Sequence, residues 1–289
     1  MIPRVTRRRI LPVLATMGAA FGAACSPVTL LNATAPREEV ATDLPYGPGP
    51  RHRLDVYVPT SPDPAPVVVF FYGGGWENGS RGMYRFLGAS LAAAGLVCVI
   101  PDYRLWPEAG FPAFIEDGAA AIAWTRANAA AHGGDPERLF VMGHSAGAQI
   151  ATLLSLDARW LEPVGMNPNR DLRGVVGLSG PYDFLPLRDP TLQAIFGPPD
   201  TWPESQPINF VGPDAPPAFL GTGGDDTTVL PRNTLRLAER LRAAGDSVEV
   251  EVYPGVGHAP LIGAFAGLLR SIAPVRRDVL RFIAERSST

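Results

Sequence analysis

Val67, Val68, Val69, Phe70 and Phe71 are apolar without interruption, whereas residues 53–58 alternate, with Leu54, Val56 and Val58 apolar between Arg53, Asp55 and Tyr57. A continuous apolar run marks a strand covered on both faces, and alternation marks a half-buried strand at a sheet edge. Further strand signatures fall at 96–100, 138–142, 175–178, 218–220 and 248–252. Between them, apolar residues at helical spacing occur near 83–94, at 113–131, after residue 145 and at 231–244, with more helical segments from 260 to 286. Regular alternation of strand and helix predicts an α/β fold: a mostly parallel central sheet with helices on both faces. Residues 181–217 hold ten prolines, too many for regular packing, and predict a short irregular cap over the strand ends. No internal repeat is visible.

The chain has 289 residues, 46% hydrophobic and 18% charged, a composition suited to one large domain over 51–289. Residues 1–25 have another character. Arg4, Arg7, Arg8 and Arg9 precede an apolar stretch ending at Ala24, and Cys25 follows, the layout of an export signal. The order Thr6, Arg7, Arg8, Arg9 resembles a twin-arginine signal. Ala23, Ala24, Cys25 and Ser26 resemble a bacterial lipoprotein cleavage site, although Gly22 stands where an aliphatic residue is usual. The expectation is an exported protein of the envelope or periplasm, anchored to a membrane through lipidated Cys25. An ordinary signal peptide or an uncleaved anchor is the alternative. Residues 26–50, rich in Pro, Gly, Thr and Ala, read as a tether.

All 25 basic residues are arginine, which excludes lysine Schiff-base, P-loop and Ser-Lys chemistry. The formal net charge of -3, without a basic patch, argues against a nucleic-acid partner. Four histidines and two cysteines form no H-E-x-x-H, H-x-H or C-x-x-C pattern, so neither a metal site nor a cofactor is expected. Cys98 lies in an apolar run and reads as core.

The candidate chemistry centres on Gly143, His144, Ser145, Ala146 and Gly147, directly after the strand at 138–142. Glycines on both sides let the backbone turn sharply enough to lift the Ser145 hydroxyl clear of the sheet. A serine nucleophile needs a base to accept its proton and an acid to orient that base. Of the histidines, His144 is too near Ser145 in the turn, His52 precedes the first strand, and His132 sits in a turn. His258, in a glycine-rich loop after 248–252, remains. The loop after 218–220 offers two adjacent acids, Asp225 and Asp226, and Asp183 lies one strand earlier. Gly73, Gly74 and Gly75, between a buried strand and Trp76, bring bare backbone close to a substrate. The N–H groups of Gly74, Gly75 and Ala146 are the candidate oxyanion donors. Trp76, Trp106, Phe196 and Trp202 are candidates for lining an acyl or aromatic pocket.

Residues from about 52 to 284 resemble the α/β-hydrolase superfamily, specifically bacterial carboxylesterases related to hormone-sensitive-lipase-like, feruloyl-esterase-like and arylformamidase proteins. The resemblance rests on the loop 72–76, on Pro101 to Leu105 with Pro107, on 133–138 leading into 143–147, on Asp226 with Val229, and on Gly257 with His258. It implies Ser145 as nucleophile, His258 as base, Asp226 rather than Asp225 as acid, and Gly74, Gly75 and Ala146 as oxyanion donors. Tyr72 replaces the histidine common in lipase-like members, and Asp102 and Arg104 read as supports behind the site. The implied activity is hydrolysis of small-molecule carboxylic esters through an acyl-enzyme. The same triad would serve an arylformamidase, another amidase or a polysaccharide deacetylase, and a non-catalytic binding lipoprotein is the reading from another class.

Overall fold

A computed structural model describes residues 27–60 and 63–288. The expected export segment 1–25, with Cys25, lies outside the described residues. The strands are β1 (Glu39–Pro45), β2 (Arg53–Val58), β3 (Ala65–Phe71), β4 (Val97–Pro101), β5 (Gly134–His144), β6 (Gly174–Leu178), β7 (Ala218–Gly223) and β8 (Val248–Tyr253). The helices are α1 (Pro27–Ala33), α2 (Arg85–Ala92), α3 (Ala113–Asn128), α4 (Ala146–Leu156), the one-turn α5 (Pro168–Asp171), α6 (Pro190–Phe196), α7 (Arg232–Ala244), α8 (His258–Gly263) and α9 (Val275–Ser287).

Among the described residues the strands form one sheet in the order β1-β2-β4-β3-β5-β6-β7-β8. β1 and β2 are antiparallel to their neighbours and the rest are parallel, an α/β-hydrolase sheet. Val67 to Phe71 of β3 are completely buried, as an interior parallel strand requires. Phe71 reaches the side where α3 and α4 meet, because Gly118 of α3 leaves room for Phe71, Ile150 and Leu154. Phe70 packs on Tyr84, ahead of α2, at 5.4 Å between ring centroids. Consecutive strand residues face opposite ways, so helices cover both faces.

Register decides where the loops emerge. Phe71 pairs with Gly143, His144 with Leu178, Leu178 with Gly221, and Gly223 with Tyr253. The loops after β3, β5, β6, β7 and β8 therefore leave the sheet at one edge. From β3 the chain goes first to β4 on one side and then to β5 on the other, so the β3 and β5 loops flank a topological switch point, where open α/β sheets bind ligands.

Two expectations need correction. Residues 26–50, read as a tether, contain α1 and β1. β1 pairs with β2, so residues 53–58 are not an edge strand, and Leu54 to Tyr57 are buried. β1 was hidden by its own edge position: with water on one side, Glu39, Thr42 and Asp43 are tolerated, and its short charged sequence resembles a linker.

Asp102, just after β4, holds the site end of the sheet together. Its carboxylate accepts from the Tyr72 hydroxyl at 2.9 Å, from the Arg81 N–H at 2.7 Å and from the Arg81 guanidinium. Arg81 also reaches Asp55 at 2.9 Å and Asp43 at 2.7 Å, tying β4 to β2 and β1. Asp102→Ala removes the acceptor of the buried Tyr72 hydroxyl and one of the three carboxylates around Arg81, and is expected to cost about 1–3 kcal/mol in urea denaturation. Asp43→Ala, which removes a solvent-exposed partner, is expected to cost less than about 1 kcal/mol.

Candidate active site

β5 ends at His144, and the chain turns through Ser145 into α4. Ser145 sits at φ 56° and ψ -125°, a conformation that side chains disfavour, costing roughly 1–3 kcal/mol. Close backbone packing imposes it. A Cβ on Gly143 would fall 2.1 Å from the Gly147 carbonyl oxygen, and one on Gly147 would fall 2.0 Å from that of Phe71. A Cβ on Gly73 would lie 2.9 Å from the Ser145 Cβ. The Ser145 N–H donates to the Leu178 carbonyl at 2.9 Å, fixing the turn to β6.

The loop after β3 bends through Gly74 at φ 142° and Gly75 at φ 63°. The Gly74 carbonyl accepts from the N–H groups of Glu77 and Asn78 at 3.2 and 3.0 Å, and any Cβ on Gly74 would strike the Asn78 carbonyl at 2.0 Å. The backbone is thus bound through its carbonyl side. Ala146 opens α4, where an N–H has no partner within the helix. Trp76 Nε1 donates to Gln149 Oε1 at 3.2 Å, and Gln149 Nε2 donates to the Ser205 carbonyl at 2.8 Å, so glycine loop, α4 and cap are tied together.

Across the sheet, Asp226 follows β7 and is 2% exposed. Its Oδ1 accepts from the N–H groups of Thr228 and Val229, both at 2.9 Å, and its Oδ2 lies 2.7 Å from His258 Nδ1. Burial alone raises the Asp226 pKa. Hydrogen bonding from His258 and the Val229 N–H outweighs it and holds the carboxyl below the usual range. Beside an ionised carboxylate the Nδ1 position carries the proton, which leaves Nε2 as the basic nitrogen. Asp225 points into solvent, its N–H bonded to the Val256 carbonyl at 3.0 Å. Asp183 instead pairs with Arg236 at 2.7 Å.

Ser145, His258, Gly74 and Gly75 line one cavity of about 320 Å³. Ser145, Ala146 and Gly75 also line a second, of about 390 Å³, under the cap with Trp76, Phe184 and Leu192. Of the aromatic residues considered from sequence, Trp76 lines the cap-side cavity. Phe196 is instead buried edge-on to Trp76 at 4.8 Å, and Trp202 Nε1 is spent on the Gly197 carbonyl at 2.8 Å. Among the described residues no group of three or more His, Cys, Asp or Glu is placed to hold a metal ion.

His144 was set aside from sequence as a base, yet it packs against the candidate base, His258. Its ring centroid lies 4.7 Å from that of His258, and its Nε2 lies 3.2 Å from the His258 carbonyl oxygen. Burial, reinforced by the neighbouring His258, pushes its pKa down to about 3, so it is a neutral donor to the loop that carries His258. Spacing along the chain gives no sign of this contact, which joins residues on two different loops.

The BD-FAE family model matches residues 54–241. The chain is 34% identical over 235 residues to esterase LipC of Mycobacterium tuberculosis, covering 74% of this chain and 58% of that protein. It is 30% identical over 245 residues to isoprenylcysteine alpha-carbonyl methylesterase ICME of Arabidopsis thaliana, covering 78% and 57%. The chain spans about half the length of the curated relatives it matches. Among solved structures, an esterase of Pyrobaculum calidifontis matches with TM-score 0.71 at 25% identity, covering 90% of this chain and 88% of that one. Esterase B of Lactobacillus rhamnosis, at TM-score 0.78 and 21% identity, covers 90% and 91% and is a likeness of fold.

The burial of His144 has a measurable consequence. Folded His144 stays neutral down to about pH 3, whereas in the unfolded chain it protonates near 6.5. Between those values the unfolded state binds more protons, so this residue makes stability fall as pH falls, by up to about 1.4 kcal/mol per pH unit. Urea denaturation at about pH 4.5 and about pH 7 is expected to show a smaller difference for His144→Phe than for the wild type. An equal difference contradicts a buried neutral imidazole.

Proposed function

The chain belongs to the BD-FAE family of α/β-hydrolase esterases, and we propose that it is a serine carboxylesterase acting through an acyl-enzyme on Ser145. The observation that carries this reading is the 2.7 Å contact between Asp226 and His258 Nδ1, beside a cavity whose wall also holds Ser145. The relatives, an esterase and a methylesterase, support an ester as the bond attacked.

His258 Nε2 takes the hydroxyl proton as Ser145 Oγ attacks the ester carbonyl, and the ionised Asp226 stabilises the imidazolium that forms. The carbonyl oxygen becomes negative and meets the N–H groups of Gly74, Gly75 and Ala146, each such donor contributing about 3 kcal/mol to the transition state. Collapse breaks the carbon–oxygen bond to the alcohol, which departs with the proton from His258. Water, deprotonated by His258, then attacks the acyl-enzyme, and the carboxylic acid leaves as the proton returns to Ser145. Cavities on two sides of Ser145 separate the acyl from the alcohol portion of a modest-sized ester. Export belongs to the same proposal: the arginines at 7–9, the apolar stretch after them and Cys25 support a lipid-anchored envelope enzyme.

Fluorophosphonate is expected to label the wild-type protein and not Ser145→Ala; equal labelling rejects the assignment. Asp226→Asn is expected to lower kcat by about 10⁴, and Asp225→Asn to leave it near the wild-type value; a larger loss at Asp225 overturns the choice of acid. Mass spectrometry of membrane-extracted protein is expected to find an acylated N-terminal Cys25, and an intact Met1 refutes processing.

A further inference from the structure

Beside the cleft of Ser145 and His258 lies another hollow, of about 340 Å³, with a lining that is almost entirely hydrocarbon. Val28 and Leu31 of α1 line it together with Ile262, Leu269 and Ile272. The hollow and the cleft share Met83, Tyr84 and His144 as their common boundary. Ala259 and Pro260, the residues after His258, also line the hollow. Two of its lining residues are also open to solvent: Met83 is 41% exposed and Ile272 43%. The ester chemistry derived above requires none of this surface.

Protein interiors pack densely, and an apolar hollow left open forfeits dispersion contacts along its walls. Here the wall is pinned in place. α1 has seven residues, none fully buried, too few to persist as a helix unaided. Asn32 fixes it at both ends of its side-chain amide, donating to the Gly82 carbonyl at 2.9 Å and accepting from the Phe86 N–H at 3.0 Å. This polar clamp holds Val28 and Leu31 against the hollow without filling it.

Building on the serine-esterase reading, we propose that the hollow receives the aliphatic chain of the substrate. The preferred substrates are then esters with an unbranched medium-length hydrocarbon group, the carbonyl at Ser145 and the chain passing Met83 and Tyr84 to lie between α1 and the segment 262–272. The size falls within the range of small-molecule sites. His144 faces both spaces as a neutral ring and places no charge along the path. Each methylene moved from water into the hollow strengthens binding about four-fold until it is full.

The test measures kcat/KM for p-nitrophenyl decanoate and p-nitrophenyl acetate in the wild type, Leu31→Trp, Leu31→Ala and, in the cap-side cavity, Leu192→Trp, with p-nitrophenyl dodecanoate added for the wild type and Leu31→Ala. The ratio of the two esters is the readout. It is expected to fall at least about ten-fold in Leu31→Trp and to hold in Leu192→Trp, while Leu31→Ala shifts preference from decanoate toward dodecanoate. In parallel, dansyl-labelled undecanoic acid is titrated into Ser145→Ala protein, with and without Leu31→Trp, and is expected to bind the first and lose affinity for the second. An unchanged ratio in Leu31→Trp, or loss in Leu192→Trp instead, overturns the proposal. If Leu31→Trp abolishes turnover of both esters, Leu31→Ala decides: no shift toward longer chains overturns it. Failure of the probe to bind Ser145→Ala protein also overturns it, whether the hollow is closed or filled by another part of the chain. Probe binding that depends on Leu31, in a wild-type protein that hydrolyses no ester, would instead defeat the esterase reading and leave the hydrocarbon site standing.

Discussion

Three backbones touch where β3, β5 and α4 meet, and the site depends on that contact. Gly73, Gly143 and Gly147 bring Phe71, Ser145 and the first turn of α4 closer than any Cβ allows. The same closeness forces Ser145 into positive φ and sets the Gly74–Gly75 bend beside its hydroxyl. Strain at one residue is thus balanced by packing among many, the usual condition for such a conformation to persist. The arrangement also fixes distances that side chains alone would leave adjustable, because strands in a buried parallel sheet cannot slide past one another without exposing their apolar faces.

Around this contact the polar groups divide by task. Asp226 is kept ionised by two backbone N–H groups and the His258 ring, and so is available to hold an imidazolium. His144, sharing the same buried ground, is kept neutral, which avoids a second positive charge beside His258. Asp102 and Arg81 carry the opposite load, fastening the start of the glycine loop through Tyr72 to the antiparallel side of the sheet. The hydroxyl of Tyr72 also accepts from Arg51 at 2.9 Å, which gives this side chain a structural role at the start of the loop.

Much of this was legible in the chain because it rests on local constraint. Glycines around Ser145 and the apolar runs before residues 72 and 143 state which backbone must turn and which must be buried. Asp225 and Asp226 were separated by resemblance alone. In the structure a turn after β7 puts the Asp226 carboxylate inside, against His258, and its neighbour outside. Other features depend on long-range contact and left little trace. β1 looks like a linker because an edge strand tolerates charge. α1 has too few residues for a helical period to stand out, and its place beside the site is set by Asn32 meeting residues fifty positions away. The contact between His144 and His258 spans 114 positions, and the sorting of Trp76 into wall and Phe196 into core rests on an edge-to-face contact between the glycine loop and the cap.

The packing at β3, β5 and α4 matters only if it makes the Ser145 hydroxyl and the glycine-loop amides converge on one reacting atom. A crystal structure of the protein inactivated by an alkyl phosphonate examines this directly. Phosphorus should be bonded to Ser145 Oγ, its phosphoryl oxygen within hydrogen-bond distance of the Gly74, Gly75 and Ala146 N–H groups, with His258 Nε2 against Oγ. A phosphoryl oxygen turned to solvent, or phosphorus bonded to any other residue, would show that the strained turn serves something other than ester hydrolysis.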